Sequence, residues 1–548
     1  MLNSLFFLSR TLRTFFILLL LCFIAIESSA EEGKSVDPNY LLGERIYKEG
    51  LSANNKFIPT TILGDIKVTG EQVICASCHR KSGMGTTEGQ QVVPAVAGNV
   101  LFKPLQLPTS KPPAPPLLRP AYTRESLKTA LITGIDANGN ILDPFMPRYE
   151  LSDDELDSLI VYLNSLSSTP DPGVSETDIY FSTIVIDGVD ESRNKAMLDV
   201  FDAYLQQKNI ETRNESSRAK NAPWHKEWMM KTYRKWKLQV WRLKGDSDTW
   251  EDQLEKYYQA QPVFAVLNGV VDDSYGPIHQ FCEDNGIPCL FPTTMLPTLD
   301  EDDFYTLYLN RGYIFEGETL ASHLDSDYSK KRVLHIADIK DRNASFSAYG
   351  LRASLHSPDY SFYDQGCDIV KSPEWDKIHK YQVIAIHADQ DCTDQLLNVL
   401  SENENKATIF LSTRLYGVSL DSIPKNLTEK IRFVHTQEIP SKINRLLARS
   451  TGWFKHKRIL NPEEKEVQAN AYFSLKVAGD ALKHIRGYFF RDYFIEKIEH
   501  TIDDVPYTSI YPRLSLAPGQ RFSSRGFYIA KIDEKMNRLA KITEWQAP

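Results

Sequence analysis

The stretch Cys75-Ala-Ser-Cys78-His79 constrains this chain more than any other part of it. Two thiols three residues apart, with an imidazole directly behind, suit three chemistries: a thiol redox pair, half of a zinc site, or the attachment point of a c-type haem. A closed zinc site needs four ligands, and no second Cys pair or Cys/His pair lies near this one in the sequence. A thioredoxin-like pair belongs next to a βαβ pattern, whereas the flanks here are rich in Gly and Ser. Haem attachment uses every residue type present. The thiols of Cys75 and Cys78 add across the two porphyrin vinyl groups, and His79 turns its imidazole up to the iron. The expected cofactor is one covalent haem c.

A six-coordinate haem needs a second axial ligand, and "DPFMPRYELSDDELDSLIVYLNSL" (143–166) offers Met146 in a proline-flanked loop. Ser152 and Glu155 have the spacing of a capping box. Leu156, Leu159, Ile160 and Leu163 follow at helical spacing, so the loop is tethered to an amphipathic helix. Met84 is the rival ligand, read here as loop packing. His/Met ligation raises the reduction potential and suits electron transfer over peroxide chemistry. His79 and Met146 are thus the expected metal ligands.

The N-terminus reads as a leader. Arg10 and Arg13 precede the apolar run 15–26, and Ser28-Ser29-Ala30 offers a cleavage site, so residues 1–30 are expected to be a cleaved signal peptide. The apolar run is shorter than the roughly 20 residues a spanning helix needs, and no later stretch is long and apolar enough, so no membrane span is expected. The expected location is the periplasm. Outside the leader six cysteines remain. Four lie outside the haem motif, and three pairings exist for them. Pairing neighbours in sequence gives Cys282–Cys289 and Cys367–Cys392, with free buried thiols as the alternative. The net charge of −9 gives no reason to expect nucleic acid as a partner.

These residues carry a resemblance. Residues 40–166 resemble a class I cytochrome c domain through Gly43 and Tyr47 of an N-terminal helix, the CASCH motif, the Met146-Pro147 loop, and Leu159 and Tyr162 of a C-terminal helix. The resemblance implies an all-α domain in which the two terminal helices cross closely at the glycine. It also implies that a proline carbonyl, here Pro94 of "VVPAVAG", accepts the ring N–H of the proximal histidine. A proline-rich insertion at 103–120, with seven prolines, departs from the family pattern and reads as an extended surface loop. The domain is placed at 31–168.

After the Ser/Thr/Pro/Gly-rich stretch 165–177 the pattern changes. Short β-branched runs such as "IYFSTIVI" (179–186), "RVLHIAD" (332–338) and "YQVIAIHAD" (381–389) alternate with helical segments, which predicts βαβ units and a mostly parallel sheet. The stretches 262–294, 330–355 and 469–482 resemble type I periplasmic solute-binding proteins, the leucine-binding-protein-like fold. That implies a two-lobed α/β domain over 178–548 with a ligand cleft between lobes. The positions matching cleft loops are Asp273, Ser274, Thr293, Thr294 and Asp338. Asp272 and Asp273 in "VVDDS" would repel an anionic ligand. The aromatic-basic run 224–245 reads in part as a packed surface strand.

No catalytic constellation is found. The reading is an exported electron carrier with a periplasmic redox partner protein, whose larger domain binds a small molecule or docks a partner. The alternatives are a haem-containing solute sensor and a haem-enzyme subunit, a dehydrogenase or peroxidase.

Overall fold

The structure is a computed structural model that describes residues 37–88, 91–106, 118–221, 234–356, 359–403, 405–417, 420–485, 487–503, 508–533 and 535–547. The leader, most of the proline-rich insertion and the first part of the aromatic-basic run lie outside the described residues. The chain divides into two compact units, residues 1–168 and 169–548.

Unit 1 is built on the crossing of two helices, α1 (Pro38–Glu49) and, at the end of the unit, the helix that follows the Met146 loop. Asp37 caps α1 by accepting from the Asn39 N–H at 2.9 Å, Pro38 fills the first turn, and Gly50 ends the helix in the left-handed region. The motif helix α2 (Cys75–His79) is barely more than one turn long. Then come α3 (Arg124–Thr133), capped by Thr123, and α4 (Asp153–Ser165). The capping box read from the sequence forms at α4. The Ser152 hydroxyl accepts from the Glu155 N–H at 3.3 Å, and the Glu155 carboxylate accepts from the Ser152 N–H at 2.9 Å. Tyr40 and Tyr47 of α1 pack on Tyr162 of α4, each with ring centroids 5.4 Å apart. Leu156, Leu159 and Leu163 complete this core with Ile46, Leu127 and Leu131.

The all-α description does not hold for this unit. Strands β1 (Pro59–Ile62), β2 (Ile66–Thr69) and β3 (Arg148–Tyr149) form an antiparallel sheet in the order β2-β1-β3. Two shorter pairs accompany it, Thr86–Glu88 with Gln91–Val93 and Leu105–Gln106 with Leu118–Arg119. The first sheet has a positional consequence. Register Thr60↔Tyr149 and Thr61↔Arg148 pins the chain immediately after Met146.

Unit 2 has two lobes. The first sheet contains β4 (Asp178–Ile186), β5 (Lys235–Leu243), β6 (Ala265–Leu267), β7 (Cys289–Leu290) and β8 (Thr306–Leu307), all parallel, in the order β8-β7-β6-β4-β5. Helices α5 (Glu191–Asn221), α6 (Trp250–Ala260) and α7 (Gly276–Asp284) make the crossovers. Helix α8 (Gly312–Asp327) leads into the second lobe and packs against α9 (Arg342–Ser354) through facing glycines. A Cβ on Gly317 would lie 2.0 Å from the Ser347 carbonyl oxygen, and one on Gly350 would lie 2.1 Å from that of Ile314.

The second sheet holds β9 (Val333–Ala337), β10 (Tyr360–Tyr363), β11 (Val383–His387), β12 (Thr408–Ser412) and β13 (Ile431–His435). The order is β10-β9-β11-β12-β13, all parallel, extended by antiparallel β14 (Tyr528–Asp533) and β15 (Arg538–Lys541). Before those last strands the chain returns to the first lobe, where α11 (Lys465–Ile485) and α12 (Arg491–Thr501) enter its core; α10 (Gln390–Glu402) covers the second.

Both sheets thus run second-first-third-fourth-fifth, an order whose topological switch point, between the first and third strands, is where α/β sheets hold ligands. Strands β9 and β11 are buried at every residue, as expected of parallel strands covered on both faces. Among the described residues the disulfides are Cys282–Cys289 and Cys367–Cys392, which leaves Cys75 and Cys78 as free thiols. No helix of the described residues is long and apolar enough to cross a membrane.

Candidate functional site

In unit 1 the motif helix holds its groups by backbone bonds at both ends. The Tyr149 hydroxyl donates to the Val73 carbonyl at 2.6 Å, and the Tyr47 hydroxyl donates to the Arg80 carbonyl at 2.7 Å. His79 is buried, and its Nδ1 lies 2.9 Å from the Pro94 carbonyl oxygen. A carbonyl can only accept, so Nδ1 carries the proton and Nε2 presents its lone pair. Burial lowers the imidazole's pKa against the opposing pull of Pro94, so it is neutral at neutral pH.

Gly85 makes this approach possible. It sits at φ +70°, and a Cβ there would lie 2.2 Å from the Val93 carbonyl oxygen and 2.8 Å from Pro94. Its N–H returns to the His79 carbonyl at 3.1 Å, closing the loop under the ring.

The Cys75 thiol does not have the electrostatics of a redox nucleophile. Burial pushes Cys75 up to about 11, although the Tyr149 hydroxyl opposes it. Reactive or zinc-bound cysteines need the thiolate, which a depressed pKa supplies. Cys78 is exposed.

Met146 is half-buried and packs on the same core cluster as Cys75 and Ala76, whereas Met84 is not among the side chains on that core. The Arg148 guanidinium braces the methionine loop. It donates to the carbonyls of Met146, Pro147 and Leu142, the latter two at 3.5 and 3.4 Å. It occupies the space beside Gly134, where a Cβ would lie 2.1 Å from its nitrogens. Around the loop, Phe145 and Ile141 are 64% and 84% exposed, and Leu63 is 45% exposed. The Leu63 N–H donates to the Pro144 carbonyl at 3.0 Å, which sets Leu63 beside the methionine loop. Two free thiols, a fixed neutral imidazole, a thioether and exposed apolar side chains beside it fit a covalently attached haem.

Residues 70–167 match the cytochrome c family model. That family implies covalently bound haem c. No curated protein matches the chain. Solved structures similar to it include a putative branched-chain amino acid ABC transporter from Rhodospirillum rubrum, at 13% identity and a TM-score of 0.48, covering 67% of this chain and 100% of that one. An ABC transporter substrate binding protein from Aeropyrum pernix is similar at 11% and 0.47, covering 68% and 97%. A branched chain amino acid ABC transporter from Thermus thermophilus with bound valine is similar at 10% and 0.46, covering 68% and 98%.

In unit 2 a cavity of about 360 Å³ lies between the lobes, a volume in the usual range for small-molecule sites. Thr293 and Thr294 line it; Asp273, Ser274 and Asp338 do not. Asp273 instead pairs across the lobes with Arg342, at the start of α9. The Ser274 hydroxyl accepts from the Gly276 N–H at 3.2 Å, and the Asp338 carboxylate accepts from the Lys340 N–H at 3.1 Å, so both finish local turns.

Groups not picked out as site residues from sequence form the rest of the wall. Arg414 donates to Glu466 at 2.7 Å, a second inter-lobe pair, and Arg193 pairs with Asp272. Asn470, Tyr313 and Tyr511 add to the polar lining, with Asn343, Glu463 and Glu464. Their only sequence signal is polarity near a helix start or strand end, which many surface residues share.

Proposed function

We propose that the chain is an exported c-type cytochrome that carries a single haem c and transfers electrons in the periplasm, with unit 2 as a solute-binding domain. The observation that carries the reading is the His79–Pro94 bond at 2.9 Å, made within a Cys-x-x-Cys-His helix whose thiols are free. Haem c, when bound, supplies a reversible one-electron iron couple. His79 would hold the iron through Nε2, Cys75 and Cys78 would anchor the group through thioether links, and Met146 would offer its sulfur to the iron. The Pro94 carbonyl fixes the imidazole and strengthens its donation, as carbonyl partners of ligating histidines do. The disulfides of unit 2 accord with an oxidising compartment.

Purified protein is expected to show one haem per chain and a low-spin spectrum that peroxide does not change. Met146→Ala loses the thioether-to-iron band, and Met84→Ala keeps it. The reverse pattern would transfer the ligand role to Met84, and a peroxide-sensitive spectrum would favour a haem enzyme.

Arg148 gives a second check. Charged donors to backbone carbonyls contribute about 1.5–3 kcal/mol. Arg148→Leu should therefore lower the pH at which the methionine band disappears by about one to two units, at about 1.4 kcal/mol per unit. An unchanged midpoint would show that the guanidinium does not hold the loop.

The cavity in unit 2 favours solute binding over docking alone. In a sensor version of this reading, ligand occupancy would alter the haem potential, which redox titration with and without ligand measures.

A further inference from the structure

We propose that the inter-lobe cavity takes a small organic cation, held by its N–H groups, rather than an anion or an ordinary amino acid. This rests on reading unit 2 as a solute-binding domain. The wall carries four carboxylates, Asp272, Glu463, Glu464 and Glu466, against the two guanidiniums of Arg193 and Arg414. Both guanidiniums are engaged. Arg193 faces Asp272, and Arg414 faces Glu466, whose carboxylate also accepts from Gln437 at 3.0 Å. The carboxylates of Glu463 and Glu464 make no hydrogen bond or ion pair among the described residues, so the wall is left with an excess of negative charge. Charges a few ångströms apart still attract or repel at the effective dielectric of a protein surface. That favours an ammonium group and opposes a ligand carboxylate.

Asn470 is the independent observation. It is only 4% exposed and lines the cavity, and its Oδ1 has no hydrogen-bond partner. Its amide nitrogen is committed to the Thr293 hydroxyl oxygen at 3.4 Å, which also takes the Asn268 amide at 3.3 Å. The carbonyl oxygen is left buried in the cavity wall without a donor. A buried acceptor without a donor is destabilising, and a ligand N–H that reached it from the cavity would remove that cost. An amino-acid ligand would instead need a cradle for its carboxylate. The two cations that could form one are already neutralised, and the loop after β6 contributes Asp272.

The test uses the full-length, haem-loaded protein with three probes: 1,4-diaminobutane, L-leucine and succinate. Binding is read by calorimetry and by tryptophan fluorescence melting. All eight tryptophans lie after residue 168, so this signal belongs to unit 2. The diamine is expected to bind and raise the melting temperature, and leucine and succinate are not. A Glu463→Gln, Glu464→Gln double variant, altered at one exposed and one half-buried position, is expected to fold and to bind the diamine at least tenfold more weakly; Asn470→Leu is expected to weaken it similarly. Binding of leucine or succinate without the diamine would overturn the ligand class and leave solute binding standing. Diamine binding that neither variant weakens would overturn the placement. No binding by any probe would overturn the solute-binding reading itself.

Discussion

Gly43→Ala is expected to destabilise unit 1 by about 3 kcal/mol or more and to leave unit 2 untouched. A Cβ at this position would lie 2.1 Å from the Ser158 carbonyl oxygen, 2.7 Å from its carbon and 2.7 Å from the Tyr162 Cβ. Overpacked cores lose typically about 1–3 kcal/mol when side chains can give way. Here the obstacle is helix backbone, so the whole helix must move. Separating α1 from α4 would also loosen the packing of Tyr40 and Tyr47 on Tyr162 and pull on the Glu155 carboxylate, which accepts from Ala53 at 3.1 Å. The measurement follows haem absorbance for unit 1 and tryptophan fluorescence for unit 2 in the same heated sample. The haem signal should melt roughly 10 °C lower, taking about 3–4 °C per kcal/mol for a unit of this size, and the fluorescence transition should stay in place. An unmoved haem transition would mean that the crossing has room for a methyl group.

What could be read in the sequence was what chemistry or periodicity writes locally. Covalent attachment demands Cys75, Cys78 and His79 within five residues, and a capping box marks where the helix after Met146 begins. The parallel strands of unit 2 were visible because burial on both faces makes them continuous apolar runs. The small strands of unit 1 were not. Arg148–Tyr149 is two residues long, too short for any alternation, and it is a strand only because Pro59–Ile62 lies beside it. Arg148 as the brace of the methionine loop was hidden for the same reason. Its place depends on Gly134, at the end of another helix, leaving space for a guanidinium.

In the cleft, Thr293 and Thr294 stood out because they match cleft loops of the fold that the sequence resembles. Arg414, Glu466 and Asn470 reach the same cavity from segments more than a hundred residues away, brought together by the chain's passages between lobes. Glu316 shows the limit most plainly. In "GYIFEGETLASHLDSD" it reads as one of several acids on a helix, yet it is 1% exposed.

That buried carboxyl makes the stability of unit 2 depend on pH. Burial raises Glu316 from 4.5 to about 7, although the Ser412 hydroxyl and the Arg414 charge oppose the shift, and its Oε1 has no hydrogen-bond partner. Below pH 4.5 the carboxyl is protonated in both the folded and unfolded chain, and its contribution is fully present. Between 4.5 and 7 the unfolded chain releases the proton while the folded chain keeps it. Stability therefore falls by about 1.4 kcal/mol per unit, roughly 3 kcal/mol in all by the time pH passes the folded value. Glu316→Gln keeps the shape of the protonated group and removes the titration. The variant should match the natural protein near pH 4 and exceed it by about 3 kcal/mol near pH 8, measured by denaturant unfolding with tryptophan fluorescence. The buried pair His335 and His387, whose burial lowers both rings' pKa values, acts in the opposite sense, weakening the fold as pH falls below the ordinary imidazole value. Both proteins carry that pair, so the difference between them isolates Glu316. A difference that does not change with pH would show that Arg414 keeps the carboxylate charged throughout.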